Sequence, residues 1–379
     1  MKKYIIKNGK LICKKNNYDF QKLDIYVDNG IIKDVAENLE VEGAEVIDVD
    51  GAIVSPGFID VHTHCYKFGP IGTEADELGI ERGATTIFDA GTAGPGNIDD
   101  FVSNDITRSR TKIFSILNVA HSGLETLSEL KDMSNIKEDE IASAIKRHGD
   151  RIIALKARAS SSVVGELGIE PIKRAKELSK KFNLPLVVHL GNYPPGIEDV
   201  LNLLERGDVA THAFHGKPNG IFDEEGKLKK EVIEARKRGV LFDVGHGSAS
   251  FSFRIFKKAI EQGFMPDLIS TDLYCKNMNG PVYNLANVVT KVVNCGVSLK
   301  EAMAMVTNVP AALFNLGNIG EIAVGHMADF SILDLEECKE TLADSQNEEL
   351  EITKKLNLVM TISSRGQNSE IFRHTKEQS

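Results

Sequence analysis

The chain has 379 residues, 42% of them hydrophobic and 26% charged, with 45 basic against 55 acidic side chains and a formal net charge of −10. That is globular composition for one large core or two ordinary ones. The acidic balance, without a dense Lys/Arg run, argues against a nucleic-acid partner or an anionic membrane surface. No stretch approaches the roughly 18 consecutive apolar residues of a membrane span. After Lys2-Lys3 only Tyr4-Ile5-Ile6 stands before Lys7, too short an apolar run for a signal peptide. Five cysteines (Cys13, Cys65, Cys275, Cys295, Cys338), odd in number and without a Cys-x-x-Cys, argue against a disulfide framework or a cysteine zinc site. A cytoplasmic globular protein is expected.

The first 57 residues read as short strands and turns: Tyr4–Lys7, an Asn8-Gly9 turn, Lys10–Cys13, Ile25–Val27, and Asp28-Asn29-Gly30 before Ile31–Val35. Asn-Gly between apolar runs is a strong hairpin signal. Eight apolar or β-branched runs follow: Phe58–His62, Ala84–Asp89, Ile113–Asn118, Ile152–Lys156, Pro185–His189, Asp208–His212, Val240–Val244 and Leu268–Asp272. They start about 30 residues apart, with helical segments such as Ile136–His148, Pro171–Phe182, Gly196–Arg206, Lys230–Arg238 and Phe253–Gln262 between them. Strand–helix–strand at this spacing signals a parallel sheet. Eight units over residues 58–310 predict an α/β (β/α)₈ TIM barrel rather than an open doubly wound sheet, and no Gly-x-Gly-x-x-Gly follows an early strand. Asp329–Leu333 and Leu356–Ile362 read as strands again, so residues 1–57 and 311–379 are expected to build a small β-sandwich domain together. Glu336–Lys355 reads as a solvated helical face, and Ser363–Ser379 as a polar, loosely held tail.

Chemistry gathers at the ends of these runs. In Pro56-Gly57-Phe58-Ile59-Asp60-Val61-His62-Thr63-His64, strand periodicity puts His62 and His64 on one face, where two imidazoles can hold one divalent metal. They sit at the C-terminal end of the first run, the end where barrel active sites are built. The fifth run ends at His189, the sixth at His212 and the eighth at Asp272. In the fourth, alternation puts Lys156 and Arg158 on one face, so Lys156 points among the histidines. Beside two cations a buried amine tends to lose its proton. It can then take up CO₂ as a carbamate whose oxygens bridge two metals. The other reading is a lysine whose stem is buried while its ammonium reaches solvent or a carboxylate.

This set resembles the amidohydrolase superfamily, in the subtype with two metals and a carboxylated lysine that includes dihydroorotases, hydantoinases and related deacetylases. The matching pieces are Pro56–His64, Lys156, His189, His212, Asp272 and the late Gly325-His326-Met327-Ala328-Asp329-Phe330. Within the superfamily, Ala154–Gly165, Gly191–Pro195, Asp243–Gly247 and Gly280–Leu285 look like the dihydroorotase-like or adenine-deaminase-like group, better described as metal-dependent deacetylases. The resemblance implies two zinc ions, His62, His64 and Asp272 holding the first, His189 and His212 the second, and a CO₂-derived carbamate on Lys156 between them. It implies hydrolysis of an amide or ester by a metal-bridging hydroxide, with Asp272 as the catalytic base turned acid.

Arg158, one strand repeat beyond Lys156, could pair with a substrate carboxylate or form a rim salt bridge. His246, between two glycines after the seventh run, and Tyr193 and Tyr283 are further candidate substrate contacts. His121, Tyr274 and Lys276 could shape the pocket, His215, three beyond His212, could support the ligands from behind or lie in a loop, and Cys65 is read as packing. A cationic barrel mouth would favour a small anionic substrate. A homo-oligomer is an open expectation, because such barrels often pair. The competing functions are a dihydroorotase- or hydantoinase-type cyclic amidase, an adenine-type deaminase, and a non-catalytic scaffold. His189 is followed by Leu190-Gly191-Asn192, without the Glu of His-x-x-Glu deaminases, and scaffold relatives have lost ligands that are all present here.

Overall fold

The apolar runs near both ends of the chain condense into one mixed sheet, and those between them into a parallel one. The computed structural model describes residues 2–375. The leading strands are β1 (Lys3–Cys13), β2 (Tyr18–Asp28), β3 (Ile31–Ala36), β4 (Glu45–Asp48) and β5 (Ile53–Pro56). Then come β6 (Phe58–Thr63), β7 (Ala84–Asp89), β8 (Lys112–Asn118), β9 (Ile152–Ala159), β10 (Leu186–Leu190), β11 (Val209–Thr211) and β12 (Leu241–Phe242). The chain closes on β13 (Phe330–Ala343), β14 (Glu349–Arg365) and β15 (Asn368–Arg373). Among the described residues, the first sheet runs β15-β14-β13-β5-β1-β2-β3, with β4 added against β1, so both termini share one eight-stranded sheet.

Asn29-Gly30 is a true hairpin, both residues left-handed (φ 51° and 73°) between β2 and β3. Asn8-Gly9 is not. β1 runs straight through it, with a bulge in its register against β2 between Ile6 and Gly9. Gly9 lies against β5 so closely that a Cβ would sit 2.6 Å from Val54 Cγ2. Packing, not turning, is what the glycine serves there.

The expected helical face 336–355 is also corrected. Glu336 pairs with Lys355 across the β13–β14 hairpin. Leu350, Ile352, Leu356 and Leu358 pack into the core shared with the helices that cover the parallel strands. Their separations of two and four are strand periodicity, hidden by the polar and charged residues between them. Within the tail expected to be loosely held, Asn368–Arg373 is the strand β15, paired with β14; residues 376–379 lie outside the described residues.

Among the described residues, the second sheet holds seven parallel strands in chain order, β6 to β12. The eighth expected run, Leu268–Asp272, is not a strand. Single-residue bridges join Leu268 to Asp243 on one side and Leu273 to Thr63 on the other. Asp272 itself is left-handed (φ 53°), a conformation that cannot continue a strand. Backbone bonds still reach this run from both flanks: Val244 N donates to Leu268 O at 3.1 Å, and Asp272 N to His62 O at 2.7 Å.

Inside the curl, Ile59, Val61, Phe88, Ile116, Ala154, Val187, Val209 and Leu268 form an apolar plug with Phe314 and Ile319. Outside, helices cover the strands. Side-chain caps mark where several begin: Ser252 before Phe253–Glu261, Asn284 before Leu285–Asn294 and Ser298 before Leu299–Met305. Each such cap is worth about 1 kcal/mol. Among the described residues, no helix is long and apolar enough to cross a membrane.

Candidate metal centre

Six ligand-type side chains converge where the parallel strands end. His62 Nε2 lies 3.5 Å and His64 Nε2 3.0 Å from Asp272 Oδ1. Lys156 Nζ, from β9, donates to His62 Nε2 at 3.2 Å. His212 Nε2 lies 4.0 Å from Asp272 Oδ2. The His189 ring stands edge-on to that of His212, with centroids 4.2 Å apart. Residues separated by up to 210 positions thus share one small volume. Two of them, His212 (φ 66°) and Asp272 (φ 53°), occupy the left-handed region, which strongly favours glycine. Such strain is held in place by its surroundings and concentrates at functional sites.

The outer contacts orient the imidazoles. His212 Nδ1 donates to Gly245 O at 2.7 Å, so its Nε2 carries a lone pair. That Nε2 is buried and finds no hydrogen-bond partner among the described residues. His62 Nδ1 donates to Thr211 Oγ1 at 2.9 Å, whose hydroxyl passes its own proton to Asp243 Oδ2 at 2.6 Å. His64 Nδ1 meets Thr92 Oγ1 at 2.8 Å. Imidazoles held through Nδ1, with Nε2 turned to a carboxylate, are the arrangement of a metal site. His62, His64 and Asp272 offer ligand atoms all within 4.8 Å of one another. An unpartnered buried lone pair is costly, and a divalent cation there would satisfy it.

Electrostatics agree. Burial holds His62, His189 and His212 well below the usual imidazole range; Asp272 opposes this at His212 and Lys156 adds to it in all three, which leaves them neutral, as ligands must be. Lys156 is 1% exposed. Burial draws its amine down to about 8, against the pull of Asp272 and Asp243. Burial pushes Asp272 up, but the His64 hydrogen bond and the nearby His212, His64 and Lys156 side chains outweigh it, leaving the carboxyl below its usual range.

Over the centre opens a cavity of about 220 Å³, walled by Ile71, Leu124 and Leu127 on an apolar side and by Arg158, Tyr274 and Lys276 on a polar one. Arg158 is in place, but its fork is taken. Nε and Nη2 hold Glu129 Oε1 and Oε2 at 2.7 and 2.6 Å, and Glu129 is fully buried. The guanidinium expected to meet a substrate carboxylate already has one. His246 does not line the cavity either. It is fully buried, accepting from Lys291 Nζ at 3.0 Å and stacked on Phe251. Tyr193 is 72% exposed and outside the cavity. Tyr283 lines a separate cavity of about 520 Å³ with Glu77, Glu81, Arg82 and Asn287. Tyr274 and Lys276 do reach the site. His121 pairs with Glu140 away from it, and Cys65 is packed in the core.

Sequence reasoning missed Thr92, Thr211, Asp243 and Glu129. Thr211 directly precedes a ligand, and Asp243 stands inside the Asp243–Gly247 motif, so both were findable. Glu129 carries no local signal; only its contact with Arg158 reveals it.

With this geometry in hand, comparison with known proteins is specific. The model described as the amidohydrolase family matches residues 53–366. A deacetylase of Enterococcus faecalis is 36% identical over 347 residues, 90% of this chain and 92% of the relative. A solved structure titled an adenine deaminase superposes with a TM-score of 0.92 at 34% identity, covering 99% of this chain and 100% of that one. Another, titled a dihydroorotase, gives 0.91 at 30% identity with the same coverage. Family model, sequence relative and superposition each span most of the chain, and the family model takes in every residue from His62 to Asp272: the chain belongs to the amidohydrolase family.

Proposed function

We propose that the protein is a metal-dependent deacetylase that hydrolyses the amide or ester of a small, acidic N-acyl or O-acyl compound. The observation that carries this is the burial of Lys156 beside the neutral imidazoles of His62, His189 and His212 and an ionised aspartate. His62, His64 and Asp272 would hold one zinc ion and His189 and His212 a second, and Lys156, once carboxylated, would add its oxygens to the ligand set. Bound there, such cations supply a water of lowered pKa and polarise a carbonyl. We also take Leu268–Asp272 as the eighth stave of a closed barrel spanning 58–310, with the two ends of the chain forming a second domain.

The chain's own groups do the rest. Asp272 Oδ, ionised and facing His64 and His212, accepts a proton and returns it to the leaving amine or alkoxide. Ile71, Leu124 and Leu127 exclude water from the acyl side. The Lys276 ammonium, on the polar wall, meets the substrate's negative charge in the place first expected of Arg158. The apolar wall suits a small acyl group, and the cavity of about 220 Å³ limits the substrate's size.

Cyclic-amide hydrolysis is the second reading, favoured by the dihydroorotase-titled structure that superposes so closely. Deamination fits less well. Lys156 sits inside the centre, and Asn192 stands where a His-x-x-Glu motif would place its glutamate. Zinc-loaded protein assayed against N-acetyl amino acids, O-acetyl hydroxy acids, dihydroorotate and adenine separates the three. Turnover of the acyl panel is expected. Rapid dihydroorotate or adenine turnover with silence on the panel would refute the deacetylase reading.

A further inference from the structure

Lys291 is a second buried lysine, and the chemistry proposed above makes no use of it. It sits on the helix Leu285–Asn294 at 1% exposure, with no carboxylate within ion-pair distance among the described residues. A buried amine is expensive unless its hydrogen bonds accomplish something. Lys291 Nζ makes two, to His246 Nε2 at 3.0 Å and to Pro281 O at 2.7 Å. They reach two different loops.

The first loop is Gly245-His246-Gly247, which touches the metal centre at both ends. Gly245 O receives His212 Nδ1. Gly247 lies so close to Asp272 that a Cβ would fall 2.4 Å from Oδ2. Backbone bonds run from His246 N to Ser270 O and from Gly247 N to Thr271 O. His246 is the loop's only side chain beyond glycine. With Lys291 donating to Nε2, the ring proton sits on Nδ1 and is given to Gly247 O at 2.9 Å.

The second loop leads away from Asp272. Asn277 Nδ2 donates to Asp272 O at 2.8 Å, and Gly280 N and Val282 N both return to Asn277 O. Pro281 O, between those last two, takes the other Lys291 bond. Burial brings the Lys291 amine down to about 7, which suits a group that serves as a hydrogen-bond donor rather than as a paired charge.

We infer that Lys291 is a positioning residue for Asp272 and His212, acting through His246 on one flank and through the Pro281 carbonyl on the other. It rests on the reading of Asp272 and His212 as metal ligands. Outer partners of metal ligands typically change affinity by about 10–100-fold when removed.

The test uses the full chain in four variants: Lys291→Met, His246→Leu, the double variant, and His246→Gln, whose amide oxygen can still accept from Lys291. Zinc affinity is measured by chelator competition. At saturating zinc, kcat and KM are measured on the best substrate of an N-acetyl amino acid panel. Zinc binding is expected to weaken about tenfold in Lys291→Met and in His246→Leu, and no further in the double variant. His246→Gln recovers most of the loss, and kcat falls with KM nearly unchanged. Zinc affinity within twofold of the parent in Lys291→Met, or losses that multiply in the double variant, would overturn the inference. Should Lys291→Met fail to fold, the contrast between His246→Leu and His246→Gln decides alone, equal losses in both overturning it. Asp272→Asn is run alongside, and unaltered zinc binding there refutes the ligand reading itself, whatever Lys291→Met does.

Discussion

Carbamate formation on Lys156 should be controlled by pH in a way the fold dictates. Only the neutral amine attacks CO₂; the N–C bond forms as nitrogen releases a proton. In the metal-free protein, burial brings the Lys156 amine from 10.5 down to about 8. At pH 7 about a tenth of the amines are then neutral, against roughly one in three thousand at the ordinary value, a gain of roughly 300-fold. The neutral fraction rises about tenfold per unit below pH 8 and flattens above it. Metal-free protein incubated with ¹³C-bicarbonate at constant dissolved CO₂ should show a carbamate carbon signal whose rate of appearance follows that curve. Zinc uptake, read by elemental analysis, should be greater with bicarbonate than in CO₂-free buffer. Loading that keeps climbing tenfold per unit to pH 10 would mean that Lys156 is an ordinary exposed amine. Zinc uptake to the same level without CO₂ would remove the carbamate altogether.

Other outcomes follow from individual contacts. Glu129→Gln leaves the Arg158 guanidinium, 14% exposed, without its fully buried carboxylate, and should cost about 3 kcal/mol in denaturant unfolding; an unchanged midpoint would refute the pairing. Gly247→Ala drives a Cβ against Asp272 Oδ2 from a left-handed backbone (φ 53°), so kcat should fall about a hundredfold with the fold intact by circular dichroism. Stripping metal with a chelator should lower the melting temperature reversibly, by the equivalent of about 2.7 kcal/mol when zinc stands a hundredfold above its dissociation constant; equal melting of stripped and loaded protein would argue against a native-state site. Burial lowers His374 from 6.5 to about 4. Between those values the unfolded chain takes up a proton that the folded one refuses, so stability falls as pH drops through that window. His374→Asn should flatten that slope, and an identical slope in the variant would refute the assignment.

Much of the architecture was legible because it is periodic. Runs such as Ala84–Asp89, about 30 residues apart, announce parallel strands before any contact is known, and His62, His64, Lys156, His189, His212 and Asp272 all stand at or near the ends of those runs. Their chemistry is local to each residue, so a linear reading can name them together. The Glu336–Lys355 stretch was misread for the opposite reason. Its charge density describes the exposed side of a hairpin, while the buried side is defined only by the helices that Ile352 and Leu356 meet.

What the sequence by itself determined is the repeat, the ligand types and the family they resemble. The tertiary structure decided which charges remain free to act. Arg158 and His246 read alike in sequence, polar residues beside strand ends. Glu129, 29 residues before Arg158, neutralises one, and Lys291, 45 residues beyond His246, buries its bond in the other. Partners so distant in sequence leave no periodic trace. The energy of a buried charge depends on what stands within a few ångströms of it, and the fold alone sets that.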